Sequence, residues 1–98
     1  MFVIHAISRI EPEARERFRE IAARQVRLSR EEPGSIAYHC TESPDDPGAV
    51  HWFQAWESRD AWEAHEATSH NLEFLAGLEP LRAGGSASML LEAELLEG

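Results

Sequence analysis

Apolar and polar positions alternate in four stretches of this chain and recur at helical spacing in two. Residues 2–9 carry Phe2, Ile4 and Ala6 on one face and Val3, His5 and Ile7 on the other, the period of a strand. Apolar residues on both faces predict a strand covered on both sides. Pro12 suits a first helical turn. Ala14, Phe18, Ile21, Gln25 and Leu28 then form a helical stripe, with Glu13, Arg17, Glu20 and Arg24 opposite. Glu13–Arg17 and Glu20–Arg24 are spaced as i, i+4 pairs with the acid first. The helix is predicted to stop near Glu32, ahead of Pro33-Gly34.

Residues 35–42 alternate again, with Ile36, Tyr38 and Cys40 on one side. Residues 43–48 (SPDDPG) are dense in turn formers. Residues 49–57, rich in aromatics, complete an antiparallel hairpin. Ser58 is placed to cap the next helix, with Asp60 in its first turn. Trp62, His65, Ser69, Leu72 and Ala76 follow one stripe toward Leu81, and the pattern allows a break at Thr68-Ser69. After Gly84-Gly85, residues 86–96 alternate, with Ala87, Met89, Leu91, Ala93 and Leu95 on one face.

The predicted order is βαββαβ, a ferredoxin-like α+β fold: a four-stranded antiparallel sheet with two helices on one face. One domain over residues 1–98 suits this length. The second sheet face is then bare although its strands are apolar, and the natural cover is a second copy, giving a homodimer.

Charge and cysteine content narrow the partners. A net charge of −9 argues against nucleic acid and anionic membranes as partners. All 9 basic residues are Arg, which codon bias in a GC-rich genome explains. Cys40, the lone cysteine, allows no disulfide within the chain, and a cytoplasmic location is expected. The first ten residues read neither as a signal peptide nor as a membrane span.

Two segments resemble a known family. Residues 31–38 (EEPGSIAY) look like its acid-rich helix end, glycine turn and aromatic strand. Residues 56–65 (WESRDAWEAH), followed by Thr68-Ser69-His70, resemble the W-E-S-x-x-x-x-x-A-H and T-P-H signature of the antibiotic biosynthesis monooxygenase superfamily. The resemblance implies a dimeric α+β barrel with a small-molecule pocket between sheet and helices in each subunit. It also implies chemistry of three kinds: cofactor-independent oxygenation of quinols and aromatic polyketides, haem degradation, or isomerisation of a phosphorylated linear dione. Gln54 stands where an acid is common, and Ser69 where proline is usual. Haem-degrading members use Asn on the first strand and Trp on the second helix, where this chain has Ser8 and His65. Haem degradation is therefore not expected.

The candidate catalytic residue is His65, which shares an inward stripe with Trp62. An inward imidazole serves as a base or holds a substrate oxygen, and a core histidine bonded to backbone fits the same pattern. Tyr38, Trp52, Phe53, Trp56, Trp62 and Phe74 are candidate aromatic walls, since a flat substrate stacks on aromatics. His70 is a candidate substrate contact or a pin for the second half of the helix. No metal site is expected, because His65 and His70 are five apart on one helix and no acids cluster with them. His51 and His39 face each other across the hairpin or reach the dimer interface, and His5 is similar. Cys40 reads as an inert buried thiol. No phosphate-binding glycine loop, nucleotide fingerprint or Ser-centred elbow is present, so no cofactor is expected.

These features fit a cofactor-free monooxygenase acting on a small electron-rich aromatic with dioxygen. An isomerase of a small carbonyl compound is the alternative; Arg9 or Arg82 would then contact phosphate, although both are expected outside the pocket. A non-catalytic binding dimer fits as well.

Overall fold

Alternation produces the strands where it was expected, and a computed structural model describes residues 1–96 of the chain. Positions 97 and 98 of the expected domain lie outside the described residues. The elements are β1 (Phe2–Arg9), a 3-10 turn (Pro12–Ala14), α1 (Arg15–Arg30), β2 (Ser35–Glu42), β3 (Ala49–Trp56), α2 (Arg59–Glu66), α3 (Ser69–Leu78), a second 3-10 turn (Glu79–Leu81) and β4 (Ala87–Glu92). The sheet order is β2-β3-β1-β4, with every pair antiparallel. This is the ferredoxin-like α+β fold.

Register fixes which side chains share a face. Ile4 pairs with Gln54 and Leu90, and Ala6 with Trp52 and Ser88, on the helix-covered face. Val3, His5 and Ile7 pair with Ala55, Phe53 and His51 on the opposite face. The core lies between sheet and helices. Trp52 takes the edge of Phe18 from α1 at 6.0 Å and of Phe74 from α3 at 5.2 Å. One tryptophan thus joins both helical layers to the sheet.

Several expectations need correction. Ile36 does not share the buried side of Tyr38 and Cys40; it is 53% exposed, whereas Tyr38 is buried. A register shift between Ser35 and Ala37 puts Ile36 in a bulge, which breaks the strict alternation. Of the expected ion pairs on α1, Arg17 meets Glu20, and Arg24 reaches across to Glu73 on α3. The last strand ends at Glu92 rather than residue 96, and Leu95 is 82% exposed.

The second helical region is two helices. Thr68 is extended (φ −67°, ψ 149°), and its Oγ1 accepts from the Asn71 amide at 3.3 Å while donating to the His65 carbonyl at 2.8 Å. It therefore ends one helix and caps the next. Ser58 caps α2 as expected, its Oγ accepting from the Ala61 amide at 3.1 Å. The break re-phases the stripe: Asn71, Phe74 and Leu78 are buried, and Leu72, expected inside, is 57% exposed. Among the described residues no helix is long and apolar enough to cross a membrane.

Candidate functional site

A cavity of about 260 Å³ lies between the inner face of the sheet and the helices α2 and α3. Ile4, Ala6 and Ser8 of β1, Tyr38 of β2, Trp52 and Gln54 of β3, and Ser88 and Leu90 of β4 form its sheet side. Trp62, His65 and Glu66 of α2, with Asn71, Phe74, Leu75 and Leu78 of α3, form its helix side. Arg82 and Ser86 close one end. Of the predicted site residues, Tyr38, Trp52, Trp62, His65 and Phe74 therefore line one cavity. Trp56 and His70 sit behind the wall, and Phe53, expected in it, lies on the opposite sheet face because strand alternation turns it away from Trp52 and Gln54. Trp56 is fully buried, and its indole N–H donates to Gln54 Oε1 at 2.9 Å, so that donor is not offered to a ligand.

His65 is buried at the end of α2, its ring tilted against Trp56 at 4.8 Å and 5.5 Å from the Tyr38 ring. Its Nδ1 lies 2.6 Å from Oε2 of Glu32, in the turn after α1. The same oxygen lies 3.1 Å from His70 Nε2. His70 Nδ1 in turn faces Gln25 Oε1 at 3.0 Å. Gln25 Nε2 donates to Tyr38 Oη at 3.2 Å and to Asn71 Oδ1 at 2.9 Å. A continuous polar network thus runs behind the cavity from α1 through α3 to β2. Burial pushes the Tyr38 phenol up to about 12, partly offset by the Gln25 bond, so it is a neutral donor rather than a base.

Sequence spacing separated His65 from His70, since residues five apart on one helix point in different directions. The Thr68 break removes that premise. The two rings stand 5.9 Å apart on different helices, and one donor atom each of Glu32, His65 and His70 fall within 4.8 Å of one another. These three could hold a metal ion in principle; each donor atom is already hydrogen bonded to another of the three.

Three contributors escaped the sequence reading. Glu32 lies at a helix C-terminus, where the dipole disfavours an acid, and that misfit was the available signal. Gln25 is a polar residue on an apolar stripe, which demands a buried partner. Asn71 carried no signal until the break was located. Arg82, expected outside the pocket, lines it because Arg82 forms an antiparallel bridge with Ile10 that folds the segment after α3 back onto β1. Its Nη1 donates to Ser86 Oγ at 3.0 Å, its Nη2 pairs with Glu79 at 3.3 Å, and its buried Nε has no partner among the described residues. Arg9 instead pairs with Asp46 at the surface. On the other sheet face His51 meets His5, not His39: the rings stack at 5.2 Å with Nδ1 of His51 3.0 Å from Nε2 of His5. Burial raises the Cys40 thiol to about 12, in keeping with an inert thiol.

The model of the family described as "Antibiotic biosynthesis monooxygenase" matches residues 1–77. The chain belongs to that family. YcnE of Bacillus subtilis (strain 168) is 32% identical over 84 residues, covering 85% of this chain and 88% of YcnE. Among solved structures, Rv0793 from Mycobacterium tuberculosis superposes with a TM-score of 0.87 at 28% identity, over 98% of this chain and 96% of that one. A Deinococcus radiodurans protein reaches a TM-score of 0.92 at 19% identity, over 100% and 97% of the two chains, a likeness of fold alone. Family membership covers the segments that build the cavity as far as Leu75. Leu78, Arg82 and the residues from β4 lie beyond the matched region.

Proposed function

We propose that this family member is a cofactor-independent monooxygenase that oxidises a small electron-rich aromatic, such as a quinol or a polyketide phenol. His65 is its base or anion stabiliser. The observation that carries the reading is a buried imidazole on the wall of an aromatic-lined cavity, with its Nδ1 held by a carboxylate. An apolar cavity of about 150 Å³ holds a benzene ring. The space here suits one or two rings.

Ground-state dioxygen reacts poorly with closed-shell molecules, and a phenolate overcomes this by passing it one electron. His65 takes the phenolic proton; the substrate radical and superoxide combine at a carbon that bears hydrogen, and the peroxide anion takes the proton back from His65; loss of water with that carbon's hydrogen leaves one oxygen atom as a product carbonyl. All electrons come from the substrate, so the protein supplies a base, donors for the anion and a dry pocket. The test is oxygen uptake with a panel of quinols and anthrones. His65→Ala is expected to lower the enzymatic rate by about 100-fold. Uptake by the wild type no faster than autoxidation would sink the reading for those substrates.

The proposal includes a homodimer packed through the open sheet face. Ile7, Phe53, Met89 and Leu91 supply an apolar surface there, and its inter-strand positions carry no Asp or Glu. Two copies of an acidic chain can meet on such a face without like-charge repulsion.

One observation favours the second reading, an isomerase of a small carbonyl compound. Arg82, whose Nη2 pairs with Glu79 at 3.3 Å, brings an Nε without a partner among the described residues to the cavity end, beside the Ser8 and Ser86 hydroxyls, which suits an anionic substrate group. Deuterium exchange into small phosphorylated diketones, followed by NMR, separates the two: exchange without oxygen uptake supports isomerisation.

A further inference from the structure

We propose that Glu32 is the positioning residue of this site. Paired with a His70 ring protonated on both nitrogens, it holds His65 in the Nδ1–H form and leaves His65 Nε2 as the base. The proposal rests on the reading of His65 as the base, and adds the device that sets its proton.

A chain of hydrogen-bonded groups leads to His70, and each fixes the role of the next. Asn71 Nδ2 donates to the Glu66 main-chain carbonyl at 3.2 Å and to Glu66 Oε2 at 3.1 Å. Both are acceptors, so the Asn71 amide cannot be reversed, and its Oδ1 must accept. The group 2.9 Å from Oδ1 is therefore the NH₂ of Gln25, whose second hydrogen goes to Tyr38 Oη. Gln25 Oε1 is then an acceptor, and His70 Nδ1 at 3.0 Å must carry a hydrogen. On the other side of that ring, Nε2 faces the Glu32 carboxylate at 3.1 Å. A neutral His70 has one hydrogen and two acceptors to satisfy. With Glu32 ionised, the ring meets both only with a proton on each nitrogen, and the charge that this creates is balanced by Glu32.

Glu32 Oε2 thus accepts from His70 and has one further neighbour, His65 Nδ1, at 2.6 Å. So short a contact is what an ionised acceptor gives. His65 therefore carries its hydrogen on Nδ1, and the lone pair sits on Nε2, the only ring nitrogen left for a ligand. The charged and titratable groups facing this cluster are Glu32 from the turn after α1, Glu66 from α2 and Tyr38 from β2. The Tyr38 phenol stays neutral through burial.

Histidine-selective ¹⁵N labelling with long-range ¹H–¹⁵N correlation reads these protons directly at neutral pH, with or without a substrate. Signals are assigned by single His→Gln variants. The wild type is expected to show His70 with two protonated nitrogens, and His65 protonated at Nδ1 and bare at Nε2. In Glu32→Gln the doubly protonated signal is expected to vanish and His65 to populate the reversed tautomer, with kcat down about 100-fold and KM little changed. A His70 with one bare nitrogen, or a His65 bare at Nδ1, overturns the proposal. If Glu32→Gln does not fold, His70→Gln decides: survival of a doubly protonated signal in the cluster contradicts the assignment, and its loss supports it. Correct tautomers in a protein that consumes no oxygen would spare the proton arrangement and remove the oxygenase reading instead.

Discussion

Tyr38 and Cys40 both face the helix-covered side of β2, and burial pushes each far above its ordinary value: the phenol from 10.0 and the thiol from 9.0, both to about 12. Each stays protonated in the folded chain at pH values where the unfolded chain ionises. The stability they contribute is complete below the unfolded values and is lost as pH climbs from about 9 to about 12. The urea-unfolding free energy is expected to fall across that window. Tyr38→Phe should remove the phenol's share of the slope, about 3 kcal/mol for a rise of this size. An unchanged slope would mean that the hydroxyl is solvated. The same residue scale governs metals. His65 and His70 both direct a ring nitrogen at one oxygen of Glu32. Dialysis against EDTA is expected to leave the melting temperature and oxygen uptake unchanged, and a fall of several degrees would reassign the three side chains to a metal centre.

At the scale of elements, the site depends on how helices end. Thr68 satisfies one orphan amide of α3 and turns the chain so that His70 swings back toward His65. Thr68→Ala is expected to cost about 1 kcal/mol in urea denaturation, and Thr68→Ser to restore most of it. Gly34 has φ +82°, and a Cβ there would lie 2.7 Å from the Ala61 Cβ. Gly34→Ala should destabilise by more than ~1 kcal/mol, and pairing it with Ala61→Gly should recover the steric part only.

Strands, helices and their order were legible because each follows one period over many residues. What escaped depends on single interruptions. One bulge at Ile36 put an apolar side chain outside. The Thr68 cap exchanged Leu72 for Asn71 on the buried stripe and brought two histidines together that spacing had kept apart. The aromatic walls and His65 could be read because they sit on uninterrupted pattern. Glu32 and Arg82 could not, because each reaches the site from a turn whose path is set by distant partners, Gly34 against Ala61 and Ile10 against Arg82.

At the scale of the whole molecule, charge and apolar surface are segregated. The chain carries −9 overall, yet the open sheet face places Phe53, Met89 and Leu91 around stacked His5 and His51. Phe53 is 43% exposed at its centre, paired with His5 on one side and His39 on the other. Sedimentation equilibrium is expected to show a dimer, and Phe53→Asp a monomer; a wild-type monomer at micromolar concentration would leave that face without the proposed partner.

Edge strand β4 gives this arrangement a thermodynamic signature. All six of its residues are exposed, so the strand is held by its ladder to β1 and by little side-chain burial of its own. If a second copy supplies that burial, folding and association are one equilibrium. The melting temperature then rises with total protein, each tenfold in concentration adding the same increment of free energy. Dilution would loosen β4 first. Because Ser88 and Leu90 are part of the cavity wall, the cavity would lose its floor before the rest of the fold gives way.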